Sequence, residues 1–216
     1  MLQVGDVQGF KTFKDHAKKK TKHYQEQDPQ KVKDYLEKIR DIPKDKIAYV
    51  DETGIDSYLC REYARAPRGE SVYGRFQGRK FQRSSIVAAQ VGEDIIAPLR
   101  YCGTMSSELF EFWFAEQLIP SLPQDVVIVM DNASFHRKKQ LYAIAEEFGR
   151  TLIFLPPYSP ELNPIEHFWY WLKRKVCEFL RLSLDLGQAI SQAFLAWISY
   201  ITFKRNDYIT SLTFDL

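Results

Sequence analysis

The sequence predicts an α/β domain built on a mixed five-stranded sheet with helices on both faces. Three observations lead there. Apolar runs of strand length, Ile47 to Val50, Ser85 to Val91 and Ile95 to Tyr101, follow one another with only an Arg- and Gly-rich loop and a turn between them, which suits an antiparallel meander. From Ser106 onward, helical periodicity alternates with short apolar runs, the order that sets further strands beneath covering helices. Two of the apolar runs, one in each half of this pattern, end in an aspartate.

Taken in order, residues 1–46 are polar, with 12 Lys/Arg against 8 Asp/Glu and the run Lys18-Lys19-Lys20. One short helix is predicted there. Asp28 caps it, Pro29 suits its first position, and Val32, Tyr35, Leu36 and Ile39 fall at helical spacing. The segment reads as a basic arm or linker leading into the core. Ile47-Ala48-Tyr49-Val50 is a buried strand that ends in Asp51 and then in the breaker Thr53-Gly54. In the loop that follows, residues 61–83 hold seven Lys/Arg against two Asp/Glu, a stretch that suits a phosphate backbone and equally a solvated face.

Gly92-Glu93-Asp94 joins the second and third strands as a hairpin turn. Ser106 to Leu118 is a helix, with Leu109, Phe110, Trp113, Phe114 and Leu118 on one face and Pro120 and Pro123 closing it. Val126 to Met130 is apolar throughout, as in a strand buried on both faces, and Asp131 follows. A helix over Lys138 to Phe148, stopped by Gly149, precedes a last strand over Thr151 to Leu155, stopped by Pro156-Pro157. The chain is then helical over about 164–180 and 185–200, and residues 201–216 read as a tail.

Composition narrows the function classes. The apolar stretch from Ala193 to Phe203 is about half the ~20 residues a membrane-spanning helix needs, so it reads as a core helix. The start lacks the basic-then-apolar order of a secretory signal, and the expectation is a cytoplasmic protein. Cys60, Cys102 and Cys177 are odd in number and widely spaced, matching neither a disulfide framework nor a zinc site. A formal net charge of +2 does not by itself indicate nucleic acid.

Asp51 and Asp131 carry the chemistry. On neighbouring parallel strands both acids fall at one edge of the sheet, where they repel unless they share a proton or a divalent cation joins them. Oxygen donors without a His/Cys cluster favour Mg²⁺ or Mn²⁺. Either aspartate alone also fits a plain turn cap. Glu166 has two readings as well. Asn163-Pro164-Ile165-Glu166 fits a capping box. On the same helix Ile165, Phe168, Trp169, Leu172 and Val176 form the buried stripe, leaving Glu166 at its flank near the N-terminus, where the helix dipole favours an ionised carboxylate and a third metal ligand. Asn132, His136 and His167 adjoin the acids and read as structural or solvated; Trp169, Trp171 and Trp197 read as core packing.

Three motifs extend this reading. Leu155-Pro156-Pro157-Tyr158-Ser159-Pro160-Glu161-Leu162-Asn163-Pro164-Ile165-Glu166 closely resembles the third-acid motif of mariner-superfamily DDE transposases, particularly their bacterial insertion-sequence relatives. Val129-Met130-Asp131-Asn132-Ala133-Ser134-Phe135-His136 is similar to their second-acid motif, and Tyr49-Val50-Asp51-Glu52-Thr53-Gly54 to their first. Thirty-four residues separate Asp131 from Glu166, similar to the family's usual gap.

The resemblance implies an RNase H-like fold, with a catalytic domain over residues 47–200 preceded by the basic arm at 1–46. It implies that Asp51, Asp131 and Glu166 are the catalytic acids and hold two Mg²⁺ ions, with Mn²⁺ as a substitute. It further implies cleavage and strand transfer on double-stranded DNA at transposon ends, a TA target, and a homodimer or larger synaptic complex. Helix-turn-helix domains generally precede the core in that family, and only the basic arm stands here, so a separately encoded recognition segment is a further expected partner. Arg79, Lys80, Lys173, Arg174 and Lys175 are the candidate DNA contacts. The acids alone also fit an RNase H-like nuclease without strand transfer, and the missing front fits a silent remnant or recruited DNA-binding protein.

Overall fold

The computed structural model describes residues 24–56, 59, 67–69, 83–182 and 184–213. The expectations placed on Lys18-Lys19-Lys20, Cys60, Arg79 and Lys80 lie outside them. Helix α1 (Pro29–Ile39) starts as its sequence predicts, with the Asp28 side chain accepting from the backbone N–H groups of Gln30 and Lys31. It is not a free arm: Tyr35 is buried against Ile47, Val129 and Leu155 of the core.

Five strands follow, β1 (Ile47–Asp56), β2 (Arg83–Val91), β3 (Asp94–Tyr101), β4 (Val127–Met130) and β5 (Leu152–Phe154). They form one sheet in the order β3-β2-β1-β4-β5. β1, β2 and β3 pair antiparallel, and β4 and β5 continue parallel to β1. This is the mixed RNase H-like sheet that the sequence predicts. The hairpin turn shortens to Gly92-Glu93, with Gly92 at φ +59 and Val91 already opposite Asp94.

Strand alternation sorts β2 cleanly. Val87 and Ala89 face one core with Ala48, Val50, Ile128 and Met130, against Phe110 and Trp113 of α2 (Ser107–Trp113) and Leu141 and Ala145 of α4 (Lys138–Glu147). Ile86 and Ala88 face the opposite core, against α5 (Ile165–Leu180) and α6 (Leu186–Thr213). The predicted stripe of α5, Ile165, Phe168, Trp169, Leu172 and Val176, is the set of its buried residues. Each large side chain removed from water in these layers contributes about 1.5–3 kcal/mol before the entropy of ordering it.

Three boundaries differ from expectation, each for a physical reason. β1 runs through Thr53-Gly54 to Asp56, because β2 supplies a partner at every step from Asp51↔Ala88 to Asp56↔Arg83. A Cβ on Gly54 would stand 2.7 Å from the Arg83 guanidinium, the far end of a flexible side chain that can move aside. The helix predicted to close at Pro120 instead widens into a π turn over Phe114–Leu118 and continues as α3 (Ile119–Ser121). A wider turn suits the approach to Pro120, which has no N–H to give. Finally, α6 extends past Tyr200 to Thr213. Ile201 still packs at 4% exposure beyond the point where the periodicity was expected to stop.

Candidate active site

Register brings the first two acids together. Val50 and Met130 are the last partners of the parallel β1/β4 ladder, so Asp51 and Asp131 are the next residue on each of two adjacent strands. Asp51 lies mid-strand in β1, still paired with β2, at the step where β4 gives way to a loop. Asp131 is there held by its own loop: the Ala133 N–H donates to its Oδ1 at 3.1 Å.

Glu166 arrives from α5 at the same place. The predicted capping box does not form. Pro164 stands at the helix start with no side-chain cap, and the buried Asn163 amide instead donates to the Val50 carbonyl at 3.4 Å, beside Asp51. Asn163 therefore ties the start of α5 to β1, and the Glu166 side chain is not spent on capping. Asp51, Asp131 and Glu166 line one cavity of about 490 Å³, together with the loop from Leu155 to Pro160.

Electrostatics show the three acids acting on one another. Asp51 is pushed up to about 7, first by burial, then by the Glu166 carboxylate, with Asp131 adding to the rise. The Trp169 indole opposes this by donating to Asp51 Oδ2 at 2.9 Å. An all-oxygen set of mutually repelling carboxylates fits a hard divalent cation, whose charge offsets the repulsion. Among the described residues, no three His, Cys, Asp or Glu side chains close around a single metal position. The acids present an open wall rather than a finished cage.

A fourth carboxylate stands behind them. Glu52 accepts from the Tyr101 hydroxyl at 2.9 Å through Oε2, while its Oε1 is buried without a partner. Burial, with Asp131 adding to it, pushes Glu52 up to about 7. It shares a smaller cavity of about 150 Å³ with Asp51, Asp131 and His136. His136 packs its ring 4.3 Å from that of Phe110 and sets Nδ1 3.2 Å from the Asp131 carbonyl. Burial lowers its pKa, which keeps the imidazole neutral near pH 7 and makes it a brace for the Asp131 loop.

Of the other sequence candidates, Asn132 donates to the Leu155 carbonyl and accepts from Lys138, so it braces β4 against β5. His167 is exposed and does not line the cavity. Lys173, Arg174 and Lys175 lie farther along α5, outside the cavity wall, and Lys175 pairs with Glu178 at 2.6 Å. Sequence reasoning gave no role to Glu52, although it adjoins Asp51 in the first motif, and saw only packing in Trp169, whose indole N–H was the available signal.

The chain belongs to the DDE superfamily endonuclease family, whose model matches residues 46–185. A stretch of 71 residues is 32% identical to the uncharacterized protein y4pE/y4sA of Sinorhizobium fredii (strain NBRC 101917 / NGR234), covering 33% of this chain and 50% of that protein. Among solved structures, the Mos1 transposase paired-end complex with left transposon end matches with a TM-score of 0.59 at 14% identity, over 85% of this chain and 65% of that one. The Mos1 mariner paired-end complex with Mn matches with a TM-score of 0.57 at 13% identity, over 86% and 65%. The corresponding complex with Mg gives 0.54 at 14% identity, over 88% and 67%. At such identities the likeness is one of fold. The matched stretch spans half of the curated relative, and this chain spans about two thirds of the Mos1 chains.

Proposed function

We propose that this chain is the catalytic domain of a cut-and-paste DNA transposase, with Asp51, Asp131 and Glu166 as its metal-holding acids. The observation that carries the reading is the convergence of three carboxylates from three separate elements on one cavity, with Asp51 raised by its burial and further by the other two. Family membership over residues 46–185 and the fold shared with Mos1 complexes described with Mn and with Mg support it.

Asp51, Asp131 and Glu166, which line one cavity and whose charges act on Asp51, would hold the metal. Two Mg²⁺ ions, or Mn²⁺ in their place, would supply Lewis-acid activation of the attacking oxygen and stabilisation of the leaving one at phosphorus. The protein's own part is positional. Trp169 and Asn163 fix Asp51 and the start of α5, and His136 and the Ala133 amide fix Asp131. Water entering this wall as nucleophile gives strand nicking; a DNA 3′-hydroxyl in the same place gives strand transfer, so one site serves both steps. The substrate is double-stranded DNA at transposon ends, joined to a target at TA, by a homodimer or larger complex aided by a helix-turn-helix segment.

The second reading is a nuclease of the same fold without strand transfer, since carboxylates alone do not choose between water and a DNA end. A plasmid target incubated with pre-cut end duplex and Mg²⁺ separates them. A transposase joins the end to the plasmid, and Asp131→Asn abolishes the joined product without lowering the melting temperature. Degradation without joining favours the nuclease, and Asp131→Asn with unchanged activity removes the proposed site.

A further inference from the structure

The lining of the acids' cavity contains a residue in an unfavourable conformation. Tyr158 sits at φ +57, the left-handed region that a bulky L-residue rarely adopts. Such strain persists only where the surroundings hold it, and here they do. The Ser159 hydroxyl is buried at 4% residue exposure, donates to the Pro157 carbonyl at 3.2 Å and accepts from the Gln27 amide at 2.8 Å. The Leu162 N–H then closes a turn on the Ser159 carbonyl at 3.1 Å. Pro156, Pro157 and Pro160 stiffen the rest of the loop.

This strain does not serve the core. The Tyr158 ring remains 56% exposed and lines the same cavity as Asp51, Asp131 and Glu166. Its ring neighbour is Tyr24, 6.1 Å away and itself 51% exposed. A well-braced loop thus spends conformational strain to hold an aromatic face at the mouth of an acidic cavity. Carboxylates repel the phosphates of a DNA strand, and prolines have no N–H to donate to it. The exposed Tyr158 ring offers a neutral π-face on which a nucleobase can stack.

We propose that Tyr158 is a stacking platform for an unpaired base beside the reacting phosphate, holding the strand end over the acids; this deepens the DNA-processing reading and rests on it. The contact is to the face of the base, so it tolerates sequence. Tyr158 acts by positioning the strand and takes no proton in the reaction.

The test measures binding of the full chain by fluorescence anisotropy in Ca²⁺, so that no chemistry is required. The probes are a short duplex with an unpaired 3′ overhang and the same duplex with abasic overhang nucleotides. Wild type and Tyr158→Phe should bind the intact overhang about tenfold more tightly than Tyr158→Ala or Tyr158→Gly, within the range for one base–aromatic stack. On the abasic duplex all four should bind alike. Tyr158→Gly, free of the left-handed penalty, should melt above Tyr158→Ala although both bind equally weakly, which separates the ring from the backbone. The proposal is overturned if wild type fails to bind the overhang, if Tyr158→Phe loses as much as Tyr158→Ala, or if the alanine defect is the same on both duplexes. Absence of joined product in Mg²⁺ with this coupling intact would count against strand transfer alone; joining without the coupling would count against the platform alone.

Discussion

The indole of Trp169 donates to the carboxylate of Asp51 at 2.9 Å, linking the hydrophobic stripe of α5 to the first acid of the site. Trp169 is 1% exposed and packs among Phe168, Ile55 and Ile86, so its ring has little freedom to move away. The same side chain therefore closes one core layer and sets the orientation of a functional group. Trp169→Phe keeps most of the packing and removes the donor. It should lower stability by about 1–2 kcal/mol, raise the Asp51 pKa further and shift the acid limb of the activity profile to higher pH. An unshifted limb would mean that the hydrogen bond does not tune Asp51.

The pH dependence of stability follows from two carboxyls. Asp51 rises from 3.8 to about 7 and Glu52 from 4.5 to about 7, so in both cases the folded state holds its proton more tightly than the unfolded chain. Their stabilising contribution is full below about pH 4 and is lost as pH rises through the folded values near 7. Without divalent metal, the melting temperature should fall between roughly pH 4 and pH 7, and Asp51→Asn should flatten that fall by stabilising the protein ~2 kcal/mol at the upper end. Mg²⁺ should restore the wild type at the higher pH and leave Asp51→Asn little changed. Parallel melting profiles for the two proteins would contradict this account of the acid wall.

A separate ion pair holds the loop of the second acid. Arg137 donates through Nε and Nη2 to the buried Glu111 at 2.7 and 2.6 Å, and its Nη1 reaches Glu108 at 2.9 Å. Glu111 is only 9% exposed, so Arg137→Met leaves a desolvated carboxylate without its partner. Because the arginine itself is half exposed, the expected loss is smaller than that of a fully buried pair. Chemical denaturation checks it. Pairing the change with Glu111→Gln should recover part of the loss, and strict additivity would show that the two residues act independently.

Gly149 ends α4 at φ +64, and an added Cβ would meet nothing within 4 Å. Gly149→Ala thus isolates backbone conformation from packing. It should destabilise by about 1 kcal/mol without altering metal-dependent chemistry. A neutral substitution would mean that the turn relaxes at no cost.

The sequence made some of this arrangement readable and hid the rest for identifiable reasons. Strands β1 and β4 announce themselves because both are apolar runs that stop at an acid, and parallel neighbours then place Asp51 and Asp131 side by side. The α5 stripe is legible because every third or fourth residue is large and apolar. What stayed hidden depends on pairing across distance. Thr53-Gly54 breaks a strand locally, yet pairing with β2 keeps it extended. Asn163 has the sequence of a helix cap, but the nearby Val50 carbonyl takes its amide instead. Glu52 carries no signal of its own beside Asp51 until β3 brings Tyr101 to it from 49 residues away.

The yield of joined product from a pre-cut end and a target plasmid in Mg²⁺, wild type against Glu166→Gln, tests the account most directly. Three acids acting as one metal-dependent site predict joining by the wild type and a loss of about 100-fold or more in the variant, with no fall in melting temperature. Joining by Glu166→Gln at the wild-type yield, or joining that needs no divalent metal, would contradict it.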